Sequence, residues 1–113
     1  MGAKSKRKGK RGELEAAAEI RRLFHVEASR GRQYSGCDDA PDIRTAIAKV
    51  HFEIKRVESL RLHEALAQAI ADAGGNIPVV LHKANHKPWL TIVRLDDLPS
   101  LAVQLYLTLA QNQ

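Results

Sequence analysis

Between Lys49 and Val57 the chain alternates with period two: Val50, Phe52 and Ile54 fall on one side, His51, Glu53 and Lys55 on the other. Successive side chains of a strand leave opposite faces, so this stretch needs apolar cover on one face. The other face then presents a carboxylate and an ammonium side by side. Few strands bury themselves against a core while carrying such a pair, and the rest of the chain is read around this one.

Upstream, Glu13, Ala17, Ile20 and Phe24 repeat at helical spacing, with Leu14 and Ala18 beside them, which predicts a helix over 12–24. Glu13 is an acid at the start of that apolar stripe, whereas Glu15, Glu19 and Arg22 lie on the polar face. A strand is expected over 25–30, a polar loop over 31–41, and a strand over 42–47 that turns near Ala48 to pair antiparallel with 49–57. The turn between these two strands carries no glycine. Downstream, Ser59 is the expected N-cap of a helix over 60–73 with Leu62, Ala65, Leu66, Ala69, Ile70 and Ala73 as its stripe. Gly74-Gly75 stops it. Strands over 77–83 and 89–95 flank a turn with Asn85 and Pro88, and Asp97 is expected to cap a last helix with Pro99 in its first turn. The fold class is α/β: a mixed five-stranded sheet flanked by helices, in one domain over 12–113.

Charge is concentrated at one end. Of 18 Lys and Arg, six (Lys4, Lys6, Arg7, Lys8, Lys10 and Arg11) lie in the first eleven residues, where none of the 13 acids falls. The net charge of +5 therefore belongs to residues 1–11, expected to be a flexible basic arm, and the body is near neutral. Such an arm either contacts nucleic-acid phosphate or is a solvated tail. A single cysteine, Cys37, forms no internal disulfide. No apolar run reaches membrane-span length and no signal peptide is evident, so a cytoplasmic protein is expected.

Hydrolysing a phosphodiester at neutral pH requires charge neutralisation at phosphorus and an activated water, which Mg²⁺ held by two or three carboxylates supplies. Asp42, directly after Pro41, Glu53 and Lys55 form such a set if the two strands pair, and Glu13 completes it as a fourth member. The alternative for the strand residues is a solvated cross-strand ion pair, and for Glu13 an acid favoured near a helix N-terminus.

Pro41-Asp42 followed by Glu53-Ile54-Lys55 resembles the motif of the PD-(D/E)XK nucleases. The start Lys10-Arg11-Gly12-Glu13 is similar to the archaeal and phage-type Holliday junction resolvases of that superfamily, as are Gln33-Tyr34-Ser35-Gly36, Pro78-Val79-Val80-Leu81-His82-Lys83 and Arg94-Leu95-Asp96-Asp97. The resemblance spans about 8–98. It implies a restriction-endonuclease-like fold, a homodimer, and a Mg²⁺-dependent endonuclease cutting four-way DNA junctions in recombination, repair or phage DNA processing, with Mn²⁺ as a substitute ion. It implies Glu13, Asp42, Glu53 and the Ile54 carbonyl as metal ligands, and Lys55 acting on the attacking water or the scissile phosphate. Ser35 is the match to a loop serine near the active site.

Lys8, Lys10, Arg11, Arg30, Arg32, Gln33, Tyr34, Ser35, Arg56, Lys83 and Lys87 are the candidate DNA contacts, the loop residues for phosphate and base stacking. His51 shares the face of Glu53 and Lys55 but is read as a neighbour, since Mg²⁺ rarely recruits imidazole. Gln68 either reaches the site or lies on the surface. His82 and His86 have no acid or cysteine at zinc spacing. The last helix is apolar on more than one side, through Val103, Tyr106, Leu107 and Ala110, and with Trp89 is a candidate subunit contact. Two other functions fit the sequence: a nicking or repair endonuclease, and a non-catalytic DNA-binding module.

Overall fold

Helix α1 (Ala3–Phe24) leads into β1 (Ala28–Arg30), β2 (Ile43–Thr45), β3 (Val50–Lys55), α2 (Leu62–Asp72), β4 (Ile77–His82), β5 (Leu90–Ile92) and α3 (Leu98–Gln111), the last preceded by a 3-10 turn at Leu95–Asp97. The structure is a computed structural model that describes residues 3–31 and 41–112, with side chains from residue 9 onward.

The alternation of β3 is obeyed. β3 and β4 are parallel, with Phe52 opposite Val79 and Ile54 opposite Leu81. Parallel neighbours need a crossover, and α2 supplies it. Phe52, Ile54, Val79 and Leu81 join Ala16, Ala17 and Ile20 of α1 in the larger core cluster. Val80, on the opposite face, packs on Ala65 and Ala69 of α2. Val80 is also the register partner of Glu53. The face carrying His51, Glu53 and Lys55 is therefore the one that α2 covers. Alanines at 65, 69 and 73, all buried, let α2 approach that closely. The helix stops at Gly74 and Gly75, both at positive φ (57° and 90°), as the sequence predicts.

The five expected strands are present but do not form one sheet. β1 and β2 make an antiparallel ribbon, while β3, β4 and β5 make a separate mixed sheet in which β4 and β5 are antiparallel. The expected five-stranded restriction-endonuclease-like sheet, and the hairpin between 42–47 and 49–57, are corrected by this topology. Its cause is local. The Ile47 N–H donates to the Thr45 hydroxyl (3.1 Å), and Lys49 takes a left-handed φ of 64°. The Ala46 N–H donates to the Glu27 carbonyl (3.1 Å), so the end of β2 stays with the β1 side.

Three smaller expectations also change. Helical backbone begins at Ala3, carrying most of the basic segment in continuity with α1. The N-cap position of α2 is Arg61, without a side-chain capping bond, and Ser59 lies two residues outside it. Asp97 does occupy the N-cap of α3, but its carboxylate accepts from Arg94 Nε at 2.7 Å instead of capping the helix. Among the described residues no helix is long and apolar enough to cross a membrane.

Candidate functional site

Two of the predicted residues, Asp42 and Ile54, meet at the edge of β3 away from β4. Lys49 and Lys55 offer their carbonyls to Ile77 (2.8 Å) and Lys83 (3.1 Å), so the odd-numbered backbone groups of β3 face β4. By alternation the N–H and carbonyl of Ile54 face the other edge. There the Asp42 carboxylate accepts the Ile54 N–H at 2.8 Å. A side chain thus satisfies a backbone group that a fourth strand would otherwise take.

Asp42 is brought there by the β1–β2 ribbon. The Gly31 N–H donates to the Asp42 carbonyl at 2.9 Å, and a Cβ on Gly31 would run into the Pro41 carbonyl. Only glycine permits this approach. Burial pushes the Asp42 carboxyl up to about 6; the Ile54 N–H and Lys55 oppose the rise, and the charges of Glu53 and Glu13 add to it. Asp42 therefore senses all three of the other residues expected to act with it, although its strand does not pair with β3.

Glu53 is buried, 4% exposed. Its Oε1 lies 3.3 Å from His51 Nε2 and its Oε2 3.9 Å from Lys55 Nζ. The hydrogen bond to Glu53 is the main cause holding the His51 imidazole above its ordinary pKa, with the charges of Glu53, Asp42 and Asp72 adding and burial opposing. Lys55, half-buried, donates to Gln68 Oε1 of α2 at 3.0 Å. Gln68 is thus both exposed and in contact with the site. Glu13 faces inward from α1 and accepts from Arg30 Nε at 2.6 Å, so Arg30 of β1 ties the ribbon to the helix.

Asp72, which the sequence reading passed over, completes the surroundings. Among the described residues, His51, Glu53 and Asp72 bring one ligand atom each to within 4.8 Å of one another. Two sequence signals pointed there: His51 sharing the strand face, and an acid in the last turn of a helix that has no base in that turn.

The candidate DNA contacts divide. Lys10, Arg11 and Lys87 are exposed, Lys83 is half-buried, and Lys8 lies in α1 with its side chain outside the described residues. Arg32, Gln33, Tyr34 and Ser35, like Cys37, also lie outside them. Arg56 is committed internally: it donates to the Lys83 carbonyl (3.3 Å) and Asn85 Oδ1 (2.9 Å) and lies 3.6 Å from Glu15 and 3.7 Å from Glu58. Glu15, the other acid of the helix start, thus serves Arg56. His82 Nε2 sits 2.8 Å from the Val57 carbonyl, a packing role.

Glu13, Asp42 and Glu53 act on one another through their charges, but their carboxylate oxygens do not gather as one ligand group; among the described residues only His51, Glu53 and Asp72 do. The Asp42 carboxyl is raised chiefly by burial, with the nearby Glu53 and Glu13 charges adding to it. No family model, curated protein or solved structure matches this chain.

Proposed function

We propose that the protein is a metal-dependent DNA endonuclease of the PD-(D/E)XK type, acting on four-way junctions as a homodimer. The observation that carries this reading is the Asp42 carboxylate seated on the Ile54 N–H of β3, where the charges of Glu53, Glu13 and Lys55 all act on it. Glu53 and Glu13 raise the Asp42 carboxyl beyond what burial alone does, and a bound cation would relieve that repulsion.

In this reading Glu13, Asp42, Glu53 and the Ile54 carbonyl hold Mg²⁺, or Mn²⁺ in its place. The bound ion would offset charge developing on the phosphoryl oxygens and lower the pKa of a water. Lys55 orients the attacking water or the scissile phosphate. Glu53 keeps the Lys55 ammonium close, and Gln68 restrains its swing. Arg30 holds Glu13 in place until the cation arrives. Exposed Lys10 and Arg11 extend a basic helix from the body, which favours phosphate contact.

Pairing of two copies is favoured by α3, which leaves Val103, Tyr106 and Leu107 exposed. Two symmetric sites fit a symmetric branched substrate. The test is incubation of the protein with labelled four-way junction, linear duplex and flap DNA, in Mg²⁺, Mn²⁺ or EDTA. Paired nicks confined to the junction are expected; equal cutting of all three would leave a general nuclease. Binding without cutting in both metals would leave a non-catalytic DNA-binding module.

A further inference from the structure

On the α2 side of Glu53 lies a second group of donors, of different chemistry. His51 and Glu53 are buried (8% and 4% exposed), whereas Asp72 is exposed at the last position of α2. The carbonyl end of a helix carries partial negative charge, so a carboxylate there is disfavoured unless a cation is close, and this last turn has no base. Beside His51 and Asp72 opens a cleft of about 450 Å³ whose lining also includes Pro41, Thr45, Asn76 and the basic Arg44, which gives solvent and ions a way in.

We propose that His51, Glu53 and Asp72 bind a divalent transition-metal cation, of the Mn²⁺ or Zn²⁺ class, at the floor of this cleft. An imidazole nitrogen with two carboxylates suits borderline cations and is a poor set for Mg²⁺. Ligand atoms each about 2.1 Å from one ion stand up to roughly 4.2 Å apart. The three ligand atoms lie within 4.8 Å of one another and His51 and Glu53 already stand 3.3 Å apart, so the adjustment needed falls to the exposed Asp72. His51 and Glu53 now hydrogen-bond to each other at 3.3 Å, and on binding the cation takes the place of the proton between them, which leaves to solvent. Glu53 would then face two cations through its two oxygens. The site shares Glu53 with the proposed nuclease centre but does not rest on the nuclease reading.

The experiment uses the full chain, stripped of metal and without DNA, in an Asp42→Asn background that removes the other cation set. Mn²⁺ is titrated in, free Mn²⁺ is read by its EPR signal, and the bound ion is examined by electron spin echo for coupling to ¹⁴N. One tightly bound Mn²⁺ with nitrogen coupling is expected. His51→Gln should abolish the coupling, and the exposed Asp72→Asn should weaken binding at least tenfold with circular dichroism unchanged. Binding without nitrogen coupling, or equal affinity in Asp72→Asn, would overturn the site. Nitrogen-coordinated Mn²⁺ in this background, alongside native-sequence protein that cuts no DNA in Mg²⁺ or Mn²⁺, would sink the nuclease reading and leave this one standing.

Discussion

The Asp42 carboxylate accepts the backbone N–H of Ile54 at 2.8 Å, closing the edge of β3 with a side chain. This one bond fixes a loop-borne acid beside Glu53 and Lys55 without a shared sheet. It also places the acid where its own charge is least welcome.

Asp42→Asn should therefore stabilise the metal-free protein at neutral pH while abolishing cleavage. The Asp42 carboxyl is raised from 3.8 to about 6 in the folded state, so the folded protein binds the proton more tightly than the unfolded chain does. That contribution is fully present below about pH 4, fades as pH rises towards 6, and is gone above it. After discounting for solvent screening, the variant should gain on the order of 1–2 kcal/mol over the native protein at pH 7.5 in EDTA, and nothing at pH 3.5. Urea unfolding at the two pH values checks this; an equal or less stable variant at pH 7.5 contradicts it.

Gly31→Ala should lower stability by several kcal/mol, because its Cβ would overlap the Pro41 carbonyl and neither backbone can yield cheaply. Since Gly31 also holds the Asp42 carbonyl, cleavage should fall even at temperatures where the variant remains folded. Thermal unfolding and a cleavage assay well below the midpoint separate the two effects.

Arg56→Ala should act on folding rather than on DNA. Its guanidinium is largely buried and bridges the end of β3 to Lys83 and Asn85. Removing it leaves Glu15 and the Lys83 carbonyl without that partner, a cost of about 2–3 kcal/mol. Denaturant unfolding should show this loss, and the salt dependence of DNA binding should keep its native slope.

Deleting residues 1–11 removes six cations. DNA binding should weaken most at low salt, with the slope of log K against log salt shallower by up to about 5. An unchanged slope would make the segment a solvated tail.

What was legible in the sequence is what depends on local periodicity. The alternation from Val50 to Lys55 put Glu53 and Lys55 on one face, and Gly74-Gly75 marked the end of α2; both hold in the structure. Strand partners were not legible. Neighbouring segments 42–47 and 49–57 look like a hairpin, but the Thr45 hydroxyl takes the Ile47 N–H and β3 finds its partner beyond α2. Pairing across a crossover helix leaves no trace in either strand's own pattern. Asp42 still arrives beside Ile54, because the ribbon delivers it by another route. Asp72 was missed for the opposite reason: it is distant in sequence from Glu53, and only the βαβ turn brings them together.

The most direct test is Lys55→Ala, since Lys55 touches both Glu53 and Gln68 yet is only half-buried, and its removal should leave the fold intact. In single-turnover assays with Mg²⁺ and a labelled four-way junction, the variant should lose at least 100-fold in cleavage rate while binding the junction within a few-fold of the native protein. Cleavage at the native rate would contradict the assignment of this edge of β3 as a nuclease site.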